Sequence, residues 1–317
     1  MIAERYGDMH VISFKLKPFS PFRLDLVVWA LRRRSVNAID LWERNMYSRV
    51  VVIGKRPVKI SVRQDGPMER PVLSVTVKSE KKISGIDLRE KVSSLLELMF
   101  GLSIDLSDFY TMTERQRNLR PLVRRYIGFR PTRFPTVFEA LVNAFSCQQI
   151  SLDVGITLLN RLSDRYGTAF RTDDAEMKAF PGPEDFQGLS SADLRPLGFS
   201  RQKGEAITGL ASAVLNRDFD PGALVRKSNE QAIGHLLGIK GVGRWSAEYV
   251  LLRGLGRLDI FPGDDVGAQK NLQSFFHLQK RPSYEEIIRF TRLWHPYAGL
   301  IYFHFLLDKL RAKGYLP

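Results

Sequence analysis

Leu236-Leu237-Gly238-Ile239-Lys240-Gly241-Val242-Gly243-Arg244-Trp245 is the stretch on which the reading of this chain turns. A helix approaches it from Ser228, where Ser228-Asn229-Glu230-Gln231 matches the capping box, in which hydroxyl and amide satisfy free amides at a helix start. A second helix, Ser246 to Arg253, leaves it. Two glycines around one small apolar residue permit a tight turn and remove side chains that would block close approach. Backbone N–H groups exposed at a helix start, together with the positive dipole end, attract an anion. An ordinary interhelical turn shows the same Gly-x-Gly pattern, so the motif decides only in company.

Working outward, the surroundings are helical. From Pro135 onward helix follows helix: Thr136-Val137-Phe138-Glu139 and Ser283-Tyr284-Glu285-Glu286 repeat the capping box. Gly198, Gly254 and Gly314 stand where helices are expected to end. The segment from Thr113 to Arg133, rich in arginine and free of lysine, reads as a connector between domains. Before it the signals are mixed. Val11-Ile12-Ser13-Phe14-Lys15-Leu16 alternates as a half-buried strand should. Leu24 to Arg34 is helical and ends in three arginines, favourable beside the negative end of a helix dipole. The runs Val50–Ile53, Val58–Val62 and Val72–Val77 are β-branched strands separated by Gly54, Pro57, Gly66 and Pro71. A helix from Asp87 to Met99 carries Val92, Leu95, Leu96 and Met99 on one face. The expected class is α+β: a small antiparallel-sheet α/β domain over residues 1–112, then a mostly α-helical domain over 113–317 with the hairpin at 236–246.

Bulk properties narrow the function. A length of 317 residues suggests about two domains. Lys and Arg number 48 against 34 Asp and Glu, a formal net charge of +14. That excess favours a polyanionic partner, because neutralising phosphates releases condensed counterions. The single cysteine, Cys147, excludes a disulfide framework, a cysteine-based zinc finger and a four-cysteine iron–sulfur site. It reads as a small buried hydrophobe. The five histidines show no metal spacing, and His235 reads as a surface or helix-end residue. The apolar run Gly299–Leu307 is broken by His304 and falls short of the ~20 residues of a membrane span. The first residues lack the layout of a signal peptide. An intracellular location, cytoplasmic or on the nucleoid, is expected.

Taken together, Ile239 to Tyr249 resembles the helix-hairpin-helix signature of base-excision DNA glycosylases, the HhH-GPD superfamily. The likeness is strongest to the 3-methyladenine DNA glycosylase II branch. Phe134–Val142 followed by Gln148-Gln149-Ile150-Ser151 resembles the helix and turn that probe the duplex in this family. Leu197–Lys203 resembles a further family turn, and the N-terminal α/β unit resembles the additional domain of the branch. The resemblance places the catalytic aspartate at Asp265, within Phe261-Pro262-Gly263-Asp264-Asp265-Val266 and 265 − 243 = 22 residues after Gly243.

What the resemblance implies is a monofunctional glycosylase that hydrolyses the N-glycosidic bond of alkylated, 3-methyladenine-type bases in duplex DNA. A carboxylate near the sugar carbon stabilises developing oxocarbenium charge and orients water. Asp264 competes with Asp265 for that role, and either is also suited to cap a helix starting near Val266. Bifunctional relatives carry a lysine two residues beyond the second hairpin glycine. Here that position is Trp245, which has no amine to attack the sugar. Trp245, Tyr249 and Tyr297 are expected to wall the pocket through stacking and cation–π attraction. Trp245 and Tyr249, four apart on one helix face, suit an ordinary core stripe as well. Val266 stands where some relatives have an aromatic residue.

Gly241, Gly243, Lys240 and Arg244 are the expected phosphate contacts. Ile150 is the expected wedge, with Gln149 beside it, or else a buried residue at a helix junction. The implied partner is double-stranded DNA with damaged bases, bound by a monomer away from any membrane. No cofactor or metal is expected beyond a structural monovalent cation at the hairpin. Two alternatives stand: an oxidised-guanine glycosylase of the same fold, which would want lysine at position 245, and a non-catalytic hairpin DNA-binding protein, which would lack Asp265.

Overall fold

Alternation and β-branching in the first eighty residues produce strands, as expected, and their register shows why. The computed structural model describes residues 2–6, 9–80, 85–172 and 176–316. Strands β1 (Ile2–Tyr6), β2 (Met9–Leu16), β3 (Leu41–Glu43), β4 (Met46–Ile53), β5 (Arg56–Asp65) and β6 (Val72–Ser79) form one antiparallel sheet in the order β1-β2-β6-β5-β4-β3. Ile60 opposes Val77 and Val62 opposes Val75, so the buried side chains of neighbouring strands share one face. Helix α2 (Gly85–Phe100) packs against β2, burying Val92, Leu96 and Met99 while Leu95 is half-buried. Helix α1 (Leu24–Arg32) lies between β2 and β3 in the chain.

The remainder is helical: α3 (Ser107–Glu114), α4 (Leu119–Arg125), α5 (Val137–Cys147), α6 (Leu152–Tyr166), α7 (Ser191–Leu194), α8 (Arg201–Leu215), α9 (Asn229–Leu237), α10 (Arg244–Val250), α11 (Val266–Phe275), α12 (Tyr284–Thr291) and α13 (Ala298–Ala312). One short hairpin interrupts them, β7 (Ala169–Arg171) with β8 (Glu176–Lys178), which packs on β5. Its strands are too short to show a period in the sequence. The arginine-rich connector holds the end of α3 and the whole of α4.

Two expected features differ in the fold. Ser228 and Ser283 make complete capping boxes, whereas Thr136 makes half of one. Its hydroxyl accepts from the Glu139 amide, but the Glu139 carboxylate instead accepts from Arg49 of β4 at 2.6 Å. The helix leaving the hairpin does not end at Gly254. It runs Arg244–Val250 and widens into a π-helical turn, Leu251–Leu255, stopped by Gly256 with φ 76°. Gly254 is used for contact: a Cβ there would sit 3.0 Å from Cβ of Ala140 on α5.

Sheet and helices share one continuous core running from Ile12 and Val77 to Leu300 and Leu310. Within it lies a buried ionic junction, in which Arg49 donates to Asp40 at 2.9 Å and to Glu139 at 2.6 Å. Burial makes such charges costly unless paired, and here each guanidinium arm has its carboxylate. Among the described residues, no helix is long and apolar enough to cross a membrane.

Candidate active site

The start of α11 decides which acid faces inward. Asp265 is its N-cap: Oδ1 accepts from the Ala268 amide at 2.8 Å, satisfying one of the free first-turn donors. Oδ2 accepts from Nε1 of Trp245 at 3.1 Å and from the Tyr302 hydroxyl at 3.3 Å. The cap and the inward-facing carboxylate are therefore the same residue. Asp264 accepts from Arg244 at 2.6 and 3.1 Å, and the Arg244 guanidinium lies 3.7 Å from the centre of the Tyr284 ring.

The loop carrying Asp265 is held from behind. Buried Glu248 accepts from the Gly263 amide at 3.0 Å and from the Tyr284 hydroxyl at 2.6 Å. Gln269 donates to the Gly263 carbonyl at 3.0 Å, so both polar groups of Gly263 are clamped. Burial pushes the Glu248 carboxyl above its ordinary value, against the two hydrogen bonds it accepts.

Asp265 opens on a cavity of about 1040 Å³ whose wall includes Trp245, Tyr249, Tyr302, Arg33, Arg253 and Lys309. Trp245 and Tyr249 stack with ring centres 5.2 Å apart. Burial, reinforced by the Asp265 carboxylate, keeps the Tyr302 phenol well above its ordinary value, so it remains a donor to Asp265. Tyr297, expected in the wall, is not part of it. It precedes the first turn of α13 and packs edge-on against Phe109 of α3 at 5.5 Å. The face of α13 toward the cavity is instead Tyr302, Leu306 and Lys309, spaced i, i+4, i+7. Tyr302 takes the place assigned to Tyr297. The i, i+4, i+7 spacing along α13 is the sequence signal that marks Tyr302.

The hairpin closes as its glycines suggest, with different jobs for each. Gly241 has φ 89°, and a Cβ on it would lie 2.8 Å from Cβ of Ala206, so turn and packing both demand glycine. Gly243 is extended and a Cβ there would meet nothing within 4 Å, leaving open space before α10. Lys240 and Arg244 are exposed and engaged by Glu205 and Asp264.

Across the cavity mouth, the turn between α5 and α6 exposes Gln149, in the left-handed region with φ 59°, and Ile150, 39 % exposed. Ile150 is thus no buried junction residue. Lys203 of α8 donates to the carbonyls of Ser146 and Gln148 at 3.0 and 2.9 Å, anchoring that turn. Ser246 Oγ and Gln148 Oε1, 3.3 Å apart, tie it to the hairpin helix. Cys147 is half-buried on the cavity wall, and His235 is exposed in the last turn of α9. Among the described residues, no three His, Cys, Asp or Glu side chains gather as metal ligands.

The hairpin, Asp265 and the turn between α5 and α6 lie within the segment matched by a known family. Residues 142–296 match the HhH-GPD superfamily of base excision DNA repair proteins. The alkylbase DNA glycosidase-like protein mag2 of Schizosaccharomyces pombe is 30% identical over 179 residues, covering 56% of this chain and 80% of that protein. The chain belongs to the HhH-GPD superfamily. A second relative, the DNA-3-methyladenine glycosylase of Bacillus subtilis, is 26% identical over 264 residues, 83% of this chain and 86% of that one. The fold agrees with the solved 3-methyladenine DNA-glycosylase of Archaeoglobus fulgidus at a TM-score of 0.82 and 24% identity, covering 94% of this chain and 98% of that one. The HhH-GPD match begins inside α5 and ends before α13, so the sheet, Arg33 and Tyr302 lie outside it.

Proposed function

We propose that this protein is a monofunctional DNA glycosylase that hydrolyses the N-glycosidic bond of alkylated bases in duplex DNA. The observation that carries the reading is Asp265, with one oxygen spent on the helix cap and the other held toward an aromatic-walled cavity by Trp245 and Tyr302. As the bond breaks, its electron pair stays with the base and the sugar becomes an oxocarbenium-like cation. The Asp265 carboxylate stabilises that cation, and water adds at the sugar carbon as its proton passes to that carboxylate. The names of the relatives, glycosylases for 3-methyladenine and alkylated bases, support this substrate class.

Duplex DNA would meet three elements at the mouth. First-turn amides behind Gly243 face open space suited to a phosphate, and Lys240 and Arg244 are exposed beside them, free to exchange Glu205 and Asp264 for phosphate oxygens. Ile150 projects where a wedge would fill the gap left by a flipped base. Trp245, spent on stacking and on Asp265, offers no amine, which favours hydrolysis over imine chemistry. The test is base release from duplexes carrying single alkylated, deaminated or oxidised bases. Release of alkylated bases leaving an intact abasic strand supports the reading, and activity confined to oxidised guanine overturns it.

A further inference from the structure

One part of the cavity wall carries positive charge that no ion pair answers, and the Asp265 chemistry does not use it. Lys270 of α11 and Lys309 of α13 both stand on that wall, on helices that pack through Phe275 against Phe305 with ring centres 5.1 Å apart. Lys313 lies one turn beyond Lys309, and Arg34 stands on the same wall. Half-buried Lys309 feels all of them: burial first, then Arg34, Lys313 and Lys270, hold its ammonium below the ordinary lysine value, with Asp265 opposing them. The last turn of a helix favours lysine through its dipole, which accounts for Lys309 but not for Lys270 and Arg34 converging on it from other elements. The neighbouring carboxylates are spent. Asp153 holds Arg34 at 3.0 Å, Asp308 holds Arg125 at 2.8 Å, and the two oxygens of Asp265 accept from Ala268, Trp245 and Tyr302. Among the described residues, Lys270, Lys309 and Lys313 form no ion pair.

We propose that Lys270, Lys309 and Lys313 form a second phosphate site, separate from the hairpin, that holds the DNA backbone beside the nucleotide turned into the cavity. The proposal rests on the reading above that duplex DNA meets this mouth. Like charges set close together cost free energy in the free protein, by repulsion and, for Lys309, by burial. A phosphate among them offsets that cost and sheds its condensed counterions, so the unpaired cluster favours the bound state. An ammonium is a compact charge on a flexible stem, suited to phosphate oxygens whatever the base, so this site reads no sequence. Its place on the wall that also carries Asp265 fixes which phosphate it takes. A base inside the cavity draws its own sugar and flanking phosphate to the mouth, where the lysines stand, and the hairpin amides take another.

The test is the affinity for a duplex with one tetrahydrofuran abasic analogue, and for the same duplex without it, across a salt series of about 50 to 200 mM. The proteins are the unaltered chain, Lys309→Met, Lys270→Met, Lys309→Arg and Lys55→Met. Lys55 is exposed in the turn between β4 and β5, off the cavity wall, and its loss removes the same charge. Both mouth variants should bind the abasic duplex about fivefold or more weakly, with the slope of log K against log salt reduced by about one. The undamaged duplex should lose less, Lys309→Arg should restore binding, and Lys55→Met should stay within about twofold of the unaltered protein. The mouth variants should melt no lower than the unaltered protein, because each relieves repulsion, and that shows that they fold. An unchanged slope in both mouth variants, an equal loss in Lys55→Met, or a loss no larger on the abasic duplex than on the undamaged one overturns the proposal. If the unaltered protein binds neither duplex, the DNA reading itself fails and the site with it, which is a different outcome.

Discussion

Asp265→Asn isolates charge from structure at one atom. Asparagine caps helices as well as aspartate, and its carbonyl oxygen retains the bond from Ala268 that Oδ1 accepts at 2.8 Å. Its amide then stands where Oδ2 stood and presents hydrogens to Trp245 Nε1, itself a donor, while the Tyr302 hydroxyl is able to turn and accept. The stability loss is that of one hydrogen bond to a charged acceptor, about 1.5–3 kcal/mol, so the variant should fold. The rate loss is larger. A carboxylate about 4 Å from a developing unit charge, at an effective dielectric constant of about 20, contributes about 4 kcal/mol. That corresponds to a loss of roughly 10³-fold in rate. The assay is single-turnover base release from a damaged duplex, with affinity for undamaged duplex and a melting curve measured alongside. Asp264→Asn is the internal control: its half-exposed pair with Arg244 is worth about 0–1 kcal/mol, so its rate should stay within about fivefold. If Asp265→Asn keeps more than about a tenth of the rate, a loss under about 1.4 kcal/mol, the chemistry does not depend on this carboxylate. A large loss in Asp264→Asn would reverse the assignment of the two acids.

Three further outcomes are expected. Gly243→Asp should fold normally yet weaken binding to damaged and undamaged duplexes by similar factors, whereas Gly241→Ala should lower stability by about 1–3 kcal/mol through its positive φ and its contact with Ala206; selective loss for damaged DNA in Gly243→Asp would remove the phosphate from that turn. Borohydride added during turnover should trap no covalent complex and the strand should survive at neutral pH; a trapped band would point to Lys270 or Lys309, the lysines on the cavity wall. Glu248→Gln should keep activity and Glu248→Ala should lower kcat more than KM by freeing the Gly263 loop. Because the Glu248 carboxyl is raised in the folded state, its ionisation opposes folding, so stability from this group falls as pH rises from the ordinary glutamate value through the raised one. Melting curves of Glu248→Gln across that range should lack this contribution, and an identical pH dependence in both proteins would show that Glu248 does not titrate there.

The elements and the hairpin were legible in the amino-acid order because they depend on neighbours a few residues apart. Alternation in β2, capping at Ser228 and Ser283, the open turn at Gly241 and Gly243, and the stacked pair Trp245 and Tyr249 are all set by local period and local donors. The distance from Gly243 to Asp265 marked the acidic pair, but only the tertiary structure separated its members, by turning one toward Arg244 and the other toward Trp245 and Tyr302. Long-range pairing also took Glu139 from its capping box to Arg49, and chose Tyr302 over Tyr297 for the wall. Arg33 shows the limit most plainly. In sequence it is one of three arginines closing a helix, a feature that the dipole explains fully. Its partner Tyr249 lies 216 residues away, and no period or cap in either segment encodes that meeting. It exists because α1 and α10 are packed into one core, where burial turns a helix-end charge into a wall of the cavity.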